Sequence, residues 1–123
     1  MEPEQMIVYV SGAYRNDDLG QKLANILAAW RAAERIWKAG HIAICPHANT
    51  FMMCEALPDV DFVAGDLEII ERCCDALLML PGWESSVGAR LEHDFACICG
   101  IPLFKTEDLL MEFLEIESET DGK

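Results

Sequence analysis

Ser86, Gly88 and Glu92 fall close together where a Gly/Ser-rich loop, Pro81-Gly82-Trp83-Glu84-Ser85-Ser86, gives way to a helical pattern. An apolar run, Asp75-Ala76-Leu77-Leu78-Met79-Leu80, leads into that loop. A buried strand, a loop of this composition and a helix with a carboxylate near its start make an anion pocket beside a candidate nucleophile. Backbone N–H groups at a helix N-terminus bind phosphate, and glycine lets a ligand come close to the backbone. Glu92 then faces whatever the pocket holds.

Asp66 is the second carboxylate out of place. On a helical wheel Phe62, Val63, Ile69, Ile70 and Cys73 lie within about 60° of it, while Asp61, Glu68, Glu71 and Arg72 project to the other side. An unpaired charge on a core-facing stripe costs several kcal/mol, so Asp66 is paired, hydrogen-bonded or turned to a cavity. Glu92 shows a weaker form of the conflict, sharing its half of the wheel with Gly88, Ala89, Phe95, Ala96 and Cys99. The plainer alternatives are an Asp66 that anchors a neighbouring backbone N–H and a Glu92 that is a solvated helix residue.

The elements that must position these groups follow from periodicity. Met6–Val10 reads as a first buried strand ending at Ser11-Gly12. A long helix capped by Asp17 or Asp18 runs through Leu19, Leu23, Ile26, Leu27, Trp30, Ala33 and Trp37 to a stop at Gly40. His41–Cys45 is a second strand halted by Pro46, and an irregular loop, Pro46 to Pro58, precedes a helix near Asp61–Cys73. Asp75–Leu80 is the third strand, Val87–Cys99 a helix and Ile101–Phe104 the fourth strand. Thr106 caps a last helix through about Ile116. Alternating strands and helices imply an α/β protein with a parallel sheet covered on both faces. In such sheets ligands bind beyond the C-terminal strand ends near the switch point, which is where the loops Ser11–Arg15 and Gly82–Gly88 would meet.

At 123 residues the chain makes one domain, 1–123, with an acidic tail expected to fray from about residue 117. The net charge of −13 argues against a nucleic-acid polymer as partner. No apolar run is long enough for a membrane span, and no basic, cleavable leader opens the chain. Cys45, Cys73, Cys97 and Cys99 fall where buried elements are expected, so the cysteines read as reduced and the protein as cytoplasmic. Adjacent Cys73-Cys74 and tight Cys97-x-Cys99 fit zinc poorly, and neither a metal nor a cofactor is expected.

Four segments carry a resemblance to the nucleoside 2-deoxyribosyltransferase superfamily. They are Val8-Tyr9-Val10-Ser11-Gly12-Ala13-Tyr14-Arg15, Pro46-His47-Ala48-Asn49, Gly65-Asp66-Leu67-Glu68-Ile69-Ile70 and Ser86-Val87-Gly88-Ala89-Arg90-Leu91-Glu92. The similarity spans about Met6 to Phe104 and looks closest to a small microbial and phage branch. It implies a flavodoxin-like or Rossmann-like open parallel sheet of four to five strands.

For activity, the resemblance implies that Glu92 attacks C1′ of a sugar and that Asp66 handles the departing base. The Ser86-x-Gly88-x-x-x-Glu92 spacing is similar to the deoxynucleoside 5′-monophosphate N-glycosidases, in which Ser and Gly hold the 5′-phosphate; Gly12 and Arg15 match first-loop phosphate contacts. The implied partner is a small (deoxy)nucleotide or nucleoside, and the implied assembly a homodimer or larger homo-oligomer. A 2-deoxyribosyltransferase and a non-catalytic nucleotide-binding or sensor module are the alternatives. Ala13 stands where the monophosphate hydrolases carry Ser. Tyr14 is placed to cover the sugar or lie on the surface, Trp83 to stack on a base or pack as a lid, and Asn49 to read a base edge or shape the turn after Pro46. Tyr9 reads as core.

Overall fold

The computed structural model describes residues 5–14, 17–46 and 59–121. Strands β1 (Ile7–Ser11), β2 (Ile42–Ile44), β3 (Ala76–Met79) and β4 (Leu103–Phe104) form one parallel sheet in the order β2-β1-β3-β4. Helices α1 (Leu19–Lys38), α2 (Asp59–Cys73), α3 (Val87–Cys99) and α4 (Glu107–Asp121) alternate with the strands, and a single 3-10 turn, Trp83–Ser85, opens onto α3.

β1 shows how the two faces are made. Val8 and Val10 point into a cluster with Ala29, Ala32 and Ile36 of α1 and Leu110 and Leu114 of α4. Tyr9, one residue out of phase, points into the opposite cluster with Ile70 of α2 and Ala89 and Ala96 of α3. The strand is thus buried on both sides, as a central parallel strand must be. An Arg35–Glu107 pair, bonded through Nε and Nη2 at 2.6 and 2.7 Å, joins α1 to the start of α4.

β1 has β2 on one side and β3 on the other. The chain therefore reverses its direction of travel at β1, and the loops that leave the C-terminal ends of β1 and β3 frame a crevice there. The Leu80 N–H donates to the Ser11 carbonyl at 2.8 Å, tying those two ends together. Gly12 is required by that contact: a Cβ at this position would lie 2.9 Å from the Leu80 Cβ.

Most strand and helix boundaries agree with periodicity to within two residues. The last helix differs, running to Asp121 rather than ending about Ile116, in keeping with the favourable helix propensity of its Glu residues. The cysteines are a correction. Cys73, Cys97 and Cys99 are exposed and Cys45 half-buried, whereas Cys74 is buried. On α3 it is Ala89, Glu92 and Ala96 that face inward, and one helical step of 100° turns Cys97 away. Cys74 lies past the end of α2, where the chain turns down to β3. Among the described residues no helix is long and apolar enough to cross a membrane.

Candidate active site

Two periodicities meet at Glu92. On β1, Tyr9 and Ser11 are two apart and project from the same face. On α3, buried Ala89 and Ala96 flank Glu92 and present small side chains that let the helix lie close to the sheet. The carboxylate of Glu92, only 6% exposed, ends up against β1. The Tyr9 hydroxyl donates to Oε2 at 2.5 Å and the Ser11 hydroxyl to Oε1 at 2.6 Å. Charge-assisted O–H···O bonds of this length are the strong kind, and they account for how a carboxylate tolerates the interior.

Asp66, half-buried on α2, lies near the same Tyr9 hydroxyl, whose polarity favours its ionised form. Burial pushes Glu92 up to about 7, against the pull of the Ser11 and Tyr9 bonds and with a further push from the Asp66 charge. Burial likewise raises Asp66 to about 6, opposed by the Tyr9 hydroxyl. Tyr9 itself is driven up by burial and then by the two negative charges, so its hydroxyl stays protonated. The Tyr9 hydroxyl hydrogen is given to Glu92, so Asp66 gains less from it. Both carboxyls change ionisation close to neutrality, Asp66 before Glu92 as pH rises. A protonated and an ionised carboxyl side by side are the requirements of acid-plus-nucleophile chemistry.

The loop after β3 supplies the rim. Gly82 takes a left-handed φ of +87°, a turn closed to most side chains. Ser86 caps α3, its hydroxyl oxygen accepting from the Ala89 N–H at 3.2 Å, and its own hydrogen remains to donate. At Gly88 an added Cβ would meet only Val63 and Ser86 side-chain atoms, at 3.9 and 4.0 Å. Packing does not demand glycine there; its effect is to leave the backbone of the helix start uncovered.

Trp83 stacks on His93, with ring centroids 4.6 Å apart and planes inclined by 14°, and Lys105 Nζ lies 5.5 Å from its centroid. That placement sets the Trp83 ring against α3, one helical step round from Glu92. Tyr14 is half-buried with Lys22 Nζ 5.2 Å from its ring centroid. Arg15 and Asn49 lie outside the described residues. What sequence reasoning missed is the bonding of Glu92 by Tyr9, read as core, and by Ser11, read as part of the first loop at the site. Their signal was present: polar-tipped side chains two apart on an otherwise apolar strand must share a face.

A family model described as "Domain of unknown function (DUF4406)" matches residues 6–105. Among solved structures, the chain is similar to a 2-deoxyribosyltransferase from the psychrotolerant bacterium Bacillus psychrosaccharolyticus. The TM-score is 0.56 and the identity 19%, over 79% of this chain and 69% of that one. No curated protein matches. The resemblance read from the four sequence segments is thereby shown at the level of the fold.

Proposed function

This chain belongs to the family described as a domain of unknown function, DUF4406, and we propose that its crevice cleaves the base–sugar bond of a small (deoxy)nucleoside 5′-monophosphate or nucleoside. The observation that carries this reading is a buried Glu92, bonded by the Tyr9 and Ser11 hydroxyls, with a half-buried Asp66 near the same tyrosine hydroxyl beside the switch point of the sheet.

Two influences decide which carboxyl is ionised. Burial pushes harder on Glu92, but Glu92 receives two hydroxyl donors, while Asp66 feels only the nearby Tyr9 hydroxyl. With both donors in place Glu92 still sits at about 7 and Asp66 at about 6, so at rest the proton favours Glu92. The reaction begins from the less populated arrangement, Glu92 ionised and Asp66 protonated. Glu92 attacks C1′, and the electrons of the C1′–N bond leave with the base, which takes the Asp66 proton. Water then attacks C1′ of the glycosyl ester, giving its proton to Asp66 and releasing Glu92, with net retention at C1′. A second base in place of water makes the same residues a 2-deoxyribosyltransferase. In this reading Ser86, the backbone at Gly88 and Gly12 form the phosphate side of the site and Tyr14 borders the sugar; the roles expected of Arg15 and Asn49 fall outside the described residues.

The test is incubation with a panel of nucleosides and nucleotides, scored for free base by chromatography, with and without an acceptor base. Release that disappears in Glu92→Ala supports the reading; no release from any substrate defeats it. One feature favours a second reading, a binding or sensor module: both Glu92 oxygens are already bonded within the protein. Tight nucleotide binding without turnover, unchanged in Glu92→Gln, is its signature.

A further inference from the structure

The turn between β3 and α3 is anchored to the rest of the fold by one side chain. Pro81, Gly82, Glu84 and Ser85 are exposed, whereas Trp83 is half-buried and packs on the cluster that holds Tyr9, Ile70 and Ala89. Its ring stacks on His93 with centroids 4.6 Å apart. Asp94 accepts the His93 Nδ1 hydrogen at 3.0 Å, which fixes the plane of the imidazole against the indole. Lys105, just past β4, brings its Nζ to 5.5 Å from the centre of the same indole, within reach of a cation–π attraction. The backbone of Trp83 is equally committed. Its N–H donates to the Leu80 carbonyl at 3.1 Å, and its carbonyl accepts the Ser86 N–H at 3.0 Å. Ser86 then takes the Ala89 N–H on its hydroxyl oxygen and the Arg90 N–H on its carbonyl. The N–H groups of Val87 and Gly88, the first two of α3, have no acceptor among the described residues. With the Ser86 hydroxyl hydrogen they make three open donors at one helix start.

We infer that Trp83 is the positioning residue of this donor set, and that its stack on His93 keeps the start of α3 ready for the phosphate of a nucleoside 5′-monophosphate. The inference rests on the glycosidase reading for the kind of ligand, and it assigns Trp83 no contact with base or sugar. Hydrogen bonds to a phosphate require each donor within about 3 Å of an oxygen, so three donors serve one anion only if the turn that carries them is fixed. Gly82, with its left-handed φ of +87°, is the least restrained kind of residue and stands directly before Trp83. Without the indole anchor, ordering of the turn falls to the ligand and subtracts from its affinity. A free nucleoside has no group for these donors, so its affinity does not depend on them. The stack therefore acts on the difference between the two ligands. In a chain of net charge −13 that difference depends the more on fixed dipoles, because the field of the whole protein repels an anion.

The test measures binding rather than turnover. Calorimetric titrations use the full chain carrying Glu92→Gln, which blocks cleavage, with the 5′-monophosphates of adenosine, guanosine, cytidine and uridine and with the four nucleosides. At least one monophosphate is expected to bind about 10-fold or more tightly than its nucleoside. Adding Trp83→Ala is expected to cut that ratio about 5- to 10-fold, in line with the worth of one aromatic stack. Trp83→Phe keeps a ring on His93 and should leave the ratio within about twofold. His93→Ala should cut it as Trp83→Ala does, and the double variant should fall no further, since both remove the same contact. A general loosening of the fold would weaken monophosphate and nucleoside alike and leave the ratio in place. The His93→Ala comparison carries the test if Trp83→Ala does not fold. No binding of any monophosphate, equal affinity for monophosphate and nucleoside, or a ratio that both alanine variants leave unchanged would overturn the inference. Failure of the wild type to release base, with the binding ratio and its loss as expected, would instead sink the glycosidase reading and leave the role of Trp83 standing.

Discussion

The Tyr9 hydroxyl lies 2.5 Å from Oε2 of Glu92, joining the middle of β1 to the inward face of α3 across 83 positions of sequence. This bond and its counterpart from Ser11 lower the cost of an ionised carboxylate in the interior. Tyr9→Phe keeps the ring in the core and removes only the donor. Burial and the charge of Asp66 then act with less opposition, so Glu92 titrates above its present value of about 7. The acidic limb of the pH profile for base release is expected to move to higher pH, and kcat at neutrality to fall about 10- to 100-fold. KM should change little. A profile whose acidic limb stays in place would remove Tyr9 from the mechanism.

The same carboxylate makes stability depend on pH. Glu92 has an ordinary value of 4.5 and a folded value of about 7, so the folded state binds the proton more tightly than the unfolded state. Its favourable contribution is complete below 4.5 and is lost as pH rises through about 7. Glu92→Gln removes the ionisable group while keeping the shape. Chemical denaturation should find the variant more stable than wild type at pH 8, by on the order of 3 kcal/mol, and nearly equal to it at pH 4.5. Equal gains at both pH values would show that the effect is packing rather than ionisation.

The strength and period of each local signal decide what could be read from the sequence. Val8, Val10 and the run Ala76–Met79 have nowhere to go but a sheet buried on both faces, and the structure has them at its centre. Helical periodicity also sets Asp66 and Glu92 on inward-turned flanks, and in the structure Glu92 is buried and Asp66 half-buried. Tyr9 was opaque because a tyrosine on a buried strand satisfies the core pattern with its ring; its hydroxyl becomes informative only when the facing helix is known. The helical cysteines misled for the opposite reason: a small, moderately apolar residue on a helix is compatible with either face, and Ala96 beside Cys97 took the core. Trp83 depended on a tertiary partner, His93, ten residues on.

His41 supplies an opposite pH effect at the other end of the sheet. Its Nδ1 accepts from the Met6 N–H at 3.0 Å, and burial holds its pKa below the ordinary 6.5. The folded state therefore favours neutral imidazole, and protonation removes the acceptor that anchors the chain entering β1. Stability from this group is present above 6.5 and is lost as pH falls below it. His41→Asn is expected to lower the melting temperature at pH 8 and to flatten the decline between pH 7 and 5 relative to wild type. An identical slope in both proteins would place the acid sensitivity elsewhere.

Gly12 couples the framework to the site, and a single methyl group tests the coupling. A Cβ there would stand 2.9 Å from the Leu80 Cβ, with Cδ1 and Cγ of the same residue at 3.2 and 3.3 Å. The Cβ sits on the backbone, so rotating the leucine side chain cannot relieve the shortest contact; β1 and the end of β3 must separate. Their separation strains the Leu80 N–H bond to the Ser11 carbonyl. It also draws Ser11 away from Oε1 of Glu92. Gly12→Ala is expected to cost about 1–3 kcal/mol in denaturant unfolding. It should also depress base release beyond what Ser11→Ala alone does, since it disturbs the loop that would face the phosphate. A Gly12→Ala protein with wild-type stability and turnover would mean that the crevice widens freely, and that the Glu92 bonds do not depend on the register between β1 and β3.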